Sequence, residues 1–379
     1  MVNLMTNKIS KRKIALSELP SGEKLSLKVI EVDGSFEGPH CYIQASVHGA
    51  EHQGNAVIYR LLEYLENNPI IGKITILPMA NPQAINTKIG TYTFGRFNPN
   101  TGDNWNRLYF DFTKSSTEVV EFAKSHLQSD EKDICKEYKK LLKELILSQK
   151  AKHIEYGPNT NGLVNLTLQE LATDSDYVLD LHTGPKATRY LYVPEYLEQR
   201  SDDLHFPFRL IIPNEFGSAM DEATFMPWVN LQSTFKELGR DFHIPFESYT
   251  VELGSEEIID LEEASHDLLY ILNYLHHRGI IEEAPELPRE SEKLKCKLSD
   301  YKTYYAPRGA LYHYNISPGS KFKKGDILAT GINFENLFRD EPVKFEVKAL
   351  ADGILINHYP SSSVPSGAEL LQVMQEYYS

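Results

Sequence analysis

No stretch of about 20 consecutive apolar residues occurs in the 379-residue chain, so no membrane-spanning helix is expected. The opening segment, MVNLMTNKISKRKIALSEL, has no apolar run long enough for the core of a signal peptide, which makes a cytoplasmic location the expectation. Cysteine is scarce. Cys41, Cys135 and Cys296 are odd in number and far apart, which argues against a disulfide framework or a thiolate metal site. Basic charge is in deficit, with 39 Lys and Arg against 53 Asp and Glu and a net charge of −14. Nucleic acids and anionic membrane surfaces reward Lys/Arg patches, so neither is expected as the main partner. The deficit says little about a small anionic substrate, because a few buried arginines reverse the field locally. No internal repeat of solenoid period is visible.

What is present is an ordinary soluble composition, 41% apolar and 24% charged, in a chain long enough for two domains. KLSLKVIEVDG and HCYIQASVHG read as strand, turn and strand over residues 24–47. From Glu51 to Leu65 the period changes: Val57, Ile58, Leu61, Leu62 and Leu65 mark one face of a helix. KITILPMANP (73–82) is a buried strand closed by Asn-Pro. This β-α-β start predicts an α/β core with a mixed, largely parallel sheet flanked by helices. Residues 83–112 are rich in Asn, Gly, Thr and Pro, and so long an irregular segment is usually functional. Residues 114–150 read as an exposed helical excursion. YVLDLH and YTVELGS are further strands, and 261–279 is a helix ended by Gly279. The expected division is a catalytic domain over 1–285, a Pro- and Glu-rich linker over 286–295 and a small all-β module over 296–379.

The chemistry begins at His48-Gly49-Ala50-Glu51-His52. As H-x-x-E-H, the letters describe two zinc-binding histidines and a glutamate base on one helix. As His48-x-x-Glu51, they put one histidine and one carboxylate on the metal. Residues four apart share a face only in an unbroken helix, and the strand-like CYIQASV before His48, with Gly49 inside the motif, opposes that. The favoured reading takes His48 and Glu51 as ligands from a strand–loop–helix corner and leaves His52 outside. A catalytic zinc site needs a third protein ligand. His182, after an apolar strand and before Gly-Pro, can supply it, because open α/β sheets bind ligands at such carboxyl ends. A lone histidine is ordinarily a satisfied structural or surface group, but two histidines and a glutamate at separate strand ends weaken that explanation. Asp180, two residues before His182 on the same strand face, is its candidate partner. Glu252 lies on a short apolar strand, where burial lifts a carboxyl toward the range of a general base. A structural salt bridge is the alternative there.

HGAEHQG, then NPQAINTKIGTYTFGRFNPNTGDNWNR, then LDLHTG, then VELGS resemble, in order, the succinylglutamate desuccinylase/aspartoacylase family, zinc deacylases related to the zinc carboxypeptidases. The match covers roughly residues 20–280. The resemblance implies one Zn²⁺ per chain held by His48, Glu51 and His182, with Glu252 as the base that activates the metal-bound water. It implies that Asn106 and Arg107 orient a substrate carboxylate, that Arg96 polarises the scissile carbonyl, and that Asp103 either supports a site residue from behind or fixes the loop. The shorter family members carry a further arginine before the base for a second carboxylate. Arg240 is the nearest counterpart and fits poorly in spacing and context, so the family name is not taken as naming the substrate, N-acylaspartate or N-succinylglutamate. Residues 296–379 resemble a barrel-sandwich (biotinyl/lipoyl-like) domain with similar halves in PRGALYHYNISPGSKFKKGDILATG and VKALADGILINH. Lys344 lacks the context of a modified lysine, so a structural role is expected: capping the cleft or forming a homo-oligomer interface.

The expected function is therefore zinc-dependent hydrolysis of an amide, or ester, bond in a small N-acylated, carboxylate-bearing compound. The rivals are a metallocarboxypeptidase acting on short peptides or cell-wall fragments, and a non-catalytic binding protein on the same fold.

Overall fold

The computed structural model describes residues 6–157, 159–287 and 292–379. Its body is a nine-stranded mixed sheet. In spatial order the strands are Lys8–Glu18, Lys24–Asp33, Lys73–Leu77, His40–Ala45, Tyr177–Gly184, Glu247–Ser255, Arg189–Pro194, Phe208–Ile212 and Leu294–Lys297. The central strands His40–Ala45, Tyr177–Gly184 and Glu247–Ser255 run parallel and are buried almost throughout, which is why they read as apolar runs rather than alternating ones. The chain enters at one edge through two antiparallel strands, of which Lys8–Glu18 is charged and exposed, as suits an edge.

Helices cover both faces. Gln53–Asn67 buries Val57, Ile58, Leu61 and Leu65 against one side, together with Leu261–His277. Gly279 ends the latter helix with φ +69°, a left-handed turn that glycine adopts without strain. Thr160–Thr173 and Met220–Glu237 cover the other face. The helical region expected to be an exposed excursion is packed instead. Helices Thr117–Ser125 and Glu131–Ile154 lie on that second face, and Ile134, Tyr138, Leu142 and Ile146 form a buried stripe at four-residue spacing. Tyr138 Oη also donates to the Pro227 carbonyl oxygen at 2.8 Å. The stripe was visible in the sequence; its partner, the 220–237 helix, was not.

Leu294–Lys297 falls across the expected end of the linker and start of the module. It forms the outer strand of the large sheet, parallel to Phe208–Ile212. Residues 288–291 of the linker lie outside the described residues. From Tyr301 on, the chain forms two small sheets. One joins 301–305, 369–374, 353–358 and 321–322, and the other joins 344–348, 327–332, 310–314 and 363–364. They share a core that includes Tyr304, Tyr312, Leu328, Leu355 and Leu371. This small body is anchored to the large sheet by a second apolar cluster, in which Ile354, Ile356 and Met374 meet Tyr190, Leu210 and Cys296. Lys186–Ala187 adds a short strand from the body to one module sheet. Lys344 opens a strand after a connection containing the 3₁₀ turn Phe334–Arg339, so it is not at the tip of a tight hairpin. Among the described residues, no helix is long and apolar enough to cross a membrane.

Candidate active site

His48 and Glu51 lie in a non-helical corner between strand His40–Ala45 and helix Gln53–Asn67, which begins two residues after the expected helix start at Glu51. Ser46 makes the turn with a φ of +62°, and its hydroxyl donates to Asn55 Oδ1 at 2.7 Å. Gly49 is required for close approach rather than for an unusual φ, since a Cβ there would collide with the carbonyl of Ala84. The corner therefore rests directly on the short helix Pro82–Asn86.

The Glu51 carboxylate bridges two imidazoles. His48 Nδ1 lies 2.9 Å from Oε1 and His182 Nδ1 lies 2.6 Å from Oε2, with all three side chains buried. The Thr183 backbone N–H also donates to Oε2, at 3.3 Å. The opposite ring nitrogens are held. His48 Nε2 meets Asn104 Oδ1 at 2.9 Å and His182 Nε2 meets Asp180 Oδ2 at 2.8 Å, so each Nε2 carries the hydrogen and each Nδ1 turns toward Glu51. Two imidazole nitrogens facing separate oxygens of one carboxylate at these distances are satisfied either by a proton in each contact or by one metal ion between the three groups. One ligand atom from each of the three residues lies within 4.8 Å of the others, and the group can hold a metal ion. Burial opposes charge on Glu51, but His48, His182 and Arg96 outweigh it and hold the carboxyl well below its usual range. Burial likewise lowers His48, whereas Asp180 and Glu51 overcome burial at His182 and raise it.

Asp180 is anchored in turn: Gln44 Nε2 donates to its Oδ1 at 2.9 Å, and Tyr42 Oη donates to Gln44 Oε1 at 2.7 Å. Tyr42 and Gln44 are two residues apart on one strand, on the same face. A glutamine inside an apolar strand is the signal that the sequence carries for this chain of contacts. His52 is outside the cluster, with its Nε2 3.9 Å from Glu257 Oε2.

Glu252 lies on the strand beside His182, in register with it. Its Oε2 is buried with no hydrogen-bond partner among the described residues. Burial first, and the nearby Glu51 charge second, push its carboxyl up to about 7. Arg96 reaches the corner: its Nη2 lies 3.3 Å from Glu51 Oε1 and donates to the Thr183 carbonyl at 3.2 Å. Asn106 is buried and accepts from the Met220 N–H at 3.0 Å, leaving its amide N–H₂ free to donate. Arg107 is exposed and donates to its neighbour's carbonyl, Asn106 O, at 2.7 Å. Asp103 contributes only its backbone, and the loop residue on His48 is Asn104, which also accepts from Asn106 N–H at 2.9 Å. Arg240 is remote from the site, with its guanidinium spent on the carbonyls of His126 and Ser129 at 2.6 and 2.7 Å.

His48, His182, Arg96, Asn106, Arg107 and Glu252 all line one cavity of about 450 Å³. Leu298, Tyr301 and Gln372, from the chain beyond the large sheet, also line it, as do Asp221 and Thr250. No local pattern marks these residues, because they come from elements that meet only in the folded chain.

The profile of the succinylglutamate desuccinylase/aspartoacylase catalytic domain matches residues 37–278. The chain belongs to this family. Deacylase members of the succinylglutamate desuccinylase/aspartoacylase family are hydrolases, and the chain resembles solved relatives over nearly its full length. A Shewanella frigidimarina protein is 39% identical, with a TM-score of 0.92 and coverage of 98% of this chain and 99% of the other. A Shewanella amazonensis protein is 38% identical, with a TM-score of 0.90 and coverage of 97% and 99%. A Rhodobacter sphaeroides succinylglutamate desuccinylase/aspartoacylase shares the fold at 18% identity, with a TM-score of 0.68 and coverage of 98% and 96%. The comparison with curated proteins gives no match.

Proposed function

We propose that this protein is a zinc-dependent deacylase. It cleaves the amide bond, or an ester bond of similar shape, of a small N-acylated, carboxylate-bearing compound such as an N-acyl amino acid. The observation that carries this reading is Glu252: a buried, unpartnered carboxylate oxygen opens on the same cavity as a two-histidine, one-carboxylate corner. That donor set, with each Nδ1 presented by a hydrogen-bonded Nε2, suits zinc. Zn²⁺ held by His48, Glu51 and His182 would supply a Lewis acid and a bound water ionising near pH 7.

The chain's own groups then have distinct tasks. Glu252 takes a proton from the attacking water and returns it to the leaving amine as the acyl C–O bond forms and the C–N bond breaks; a carboxyl near 7 suits both transfers. Arg96 brings a guanidinium to the side of the corner where the carbonyl oxygen gains negative charge. Arg107 and the free amide of Asn106 hold the substrate carboxylate and so place the scissile bond. The two small sheets support a barrel-sandwich reading of the module. Tyr301 and Gln372 give it a capping role, which favours small substrates over an extended peptide groove.

Zinc content and hydrolysis of N-acyl amino acids test the proposal together. Purified protein should carry about one zinc per chain, and Glu252→Gln should keep the metal and lose activity. Zinc-free protein combined with a fully active Glu252→Gln variant would overturn it.

A further inference from the structure

The cavity lining carries charge of both signs. Arg96 and Arg107 bring positive charge to the lining, and the segment 213–222 brings Glu215, Asp221 and Glu222 to it. Two of these three have ordinary explanations. Glu215 is exposed to water. Glu222 caps its own helix, its Oε2 accepting from the Gly217 and Ala219 N–H groups at 2.6 and 2.9 Å.

Asp221 is the third. It is 3% exposed and lines the cavity. Its carboxylate accepts from the Glu222 backbone N–H and from Thr250, two residues before Glu252 on the same face of the strand, and its charged neighbours are Glu222 and Asp180, both acidic. No Lys, Arg or His pairs with it among the described residues. An aspartate in the first turn of a helix is unremarkable where it faces water. A buried carboxylate facing a cavity with no countercharge is costly, and burial followed by the two acidic neighbours pushes this one up to about 6. The missing cation has an obvious place from which to come.

The location narrows the choice further. The Met220 N–H, next along the chain, donates to Asn106 Oδ1, so Asp221 stands beside the carboxylate-holding pair. Arg240, the one residue considered for a second anionic group, is turned away toward His126 and Ser129. We propose that Asp221 recognises an ammonium group and that the substrate is an N-acylated diamino acid, a proposal that rests on the hydrolase reading above. The leaving portion would carry a carboxylate on Arg107 and Asn106 and a free ammonium on Asp221. Hydrolysis then adds water across the amide, giving the free acid and a diamino acid.

The test compares ligands that differ mainly in one group. By calorimetry, the zinc-loaded protein should bind ornithine at least about tenfold more tightly than norvaline, the discrimination expected of a charge-assisted contact. Asp221→Asn should bring ornithine to the level of norvaline, with circular dichroism confirming that the variant is folded. Among acylated probes, Nα-acetylornithine should be cleaved with a higher kcat/KM than Nα-acetylnorvaline or Nα-acetylglutamate. Cleavage with glutamate or norvaline preferred overturns the inference and leaves the hydrolase reading standing. Selective, Asp221-dependent binding of ornithine without cleavage of any acylated probe overturns the hydrolase reading instead. A preference for glycylnorvaline over Nα-acetylornithine places the ammonium on the acyl side and overturns the assignment to a diamino acid.

Discussion

The corner that holds His48 and Glu51 and the wall that holds Asp221 face the same cavity, yet their polar groups are treated in opposite ways. At the corner every ring nitrogen and carboxylate oxygen has a partner, and those partners are anchored in turn through Asn104, Asp180, Gln44 and Tyr42. At the wall a carboxylate is buried with no cation beside it. A site for a fixed ion gains from side chains locked before the ion arrives. A site that selects among small molecules works differently, because a buried charge left without a countercharge in the empty protein penalises every ligand that fails to supply one. Under the proposed function, the comparison separates a permanent part of the machinery from a discriminating one.

The strongest way to break this picture is at the corner. His48→Ala should take zinc from about one per chain to near zero by metal analysis, and hydrolysis should go with it. Glu252→Gln comes next: zinc should stay, while kcat falls by about 10²–10⁴-fold in steady-state assays. Asp180→Ala, which touches the metal only through His182, should weaken zinc affinity by about 10–100-fold in a chelator competition.

The wall should respond in the other direction. The Asp221 carboxyl is raised in the fold from an ordinary 3.8 to about 6, with Glu222 and Asp180 as the charges facing it. A raised acid destabilises the folded state above its folded pKa, and the penalty fades as pH falls through about 6 toward 4. Asp221→Asn should accordingly stabilise the empty protein by roughly 1–3 kcal/mol at pH 8, with the gap closing by pH 4, as read in denaturant titrations. Destabilisation at pH 8 would show that Asp221 is structural. The smallest effect belongs to His52→Ala, which should leave zinc binding unchanged; loss of metal there would restore the helical H-x-x-E-H reading.

The two regions also differ in how far they could be read from the residues alone. His48, Glu51, His182 and Glu252 sit at ends of strongly apolar strands, where a polar group is conspicuous. The change from strand to helical period across 45–53 placed the first two on a corner. Asn104 and Gln44 left weaker traces, an asparagine-rich loop and a glutamine inside a strand. Asp221 looked like any acidic residue at a helix start. Tyr301 and Gln372 belong to a module whose placement over the cleft depends on the contact of Ile354, Ile356 and Met374 with Tyr190, Leu210 and Cys296.

By itself, then, the sequence determined the α/β plan and marked His48, Glu51, His182 and Glu252 as polar groups at the ends of apolar strands, because local periodicity and isolated polar residues in apolar strands are properties of short segments. The tertiary structure alone decided which nitrogen of each histidine faces Glu51, that the 131–154 helix is packed, and that Arg240 is spent elsewhere. It also decided that Asp221 is buried without a countercharge among the described residues. These are matters of which side chains meet across the sheet, and such meetings are set by the packing of elements that can be more than 100 residues apart.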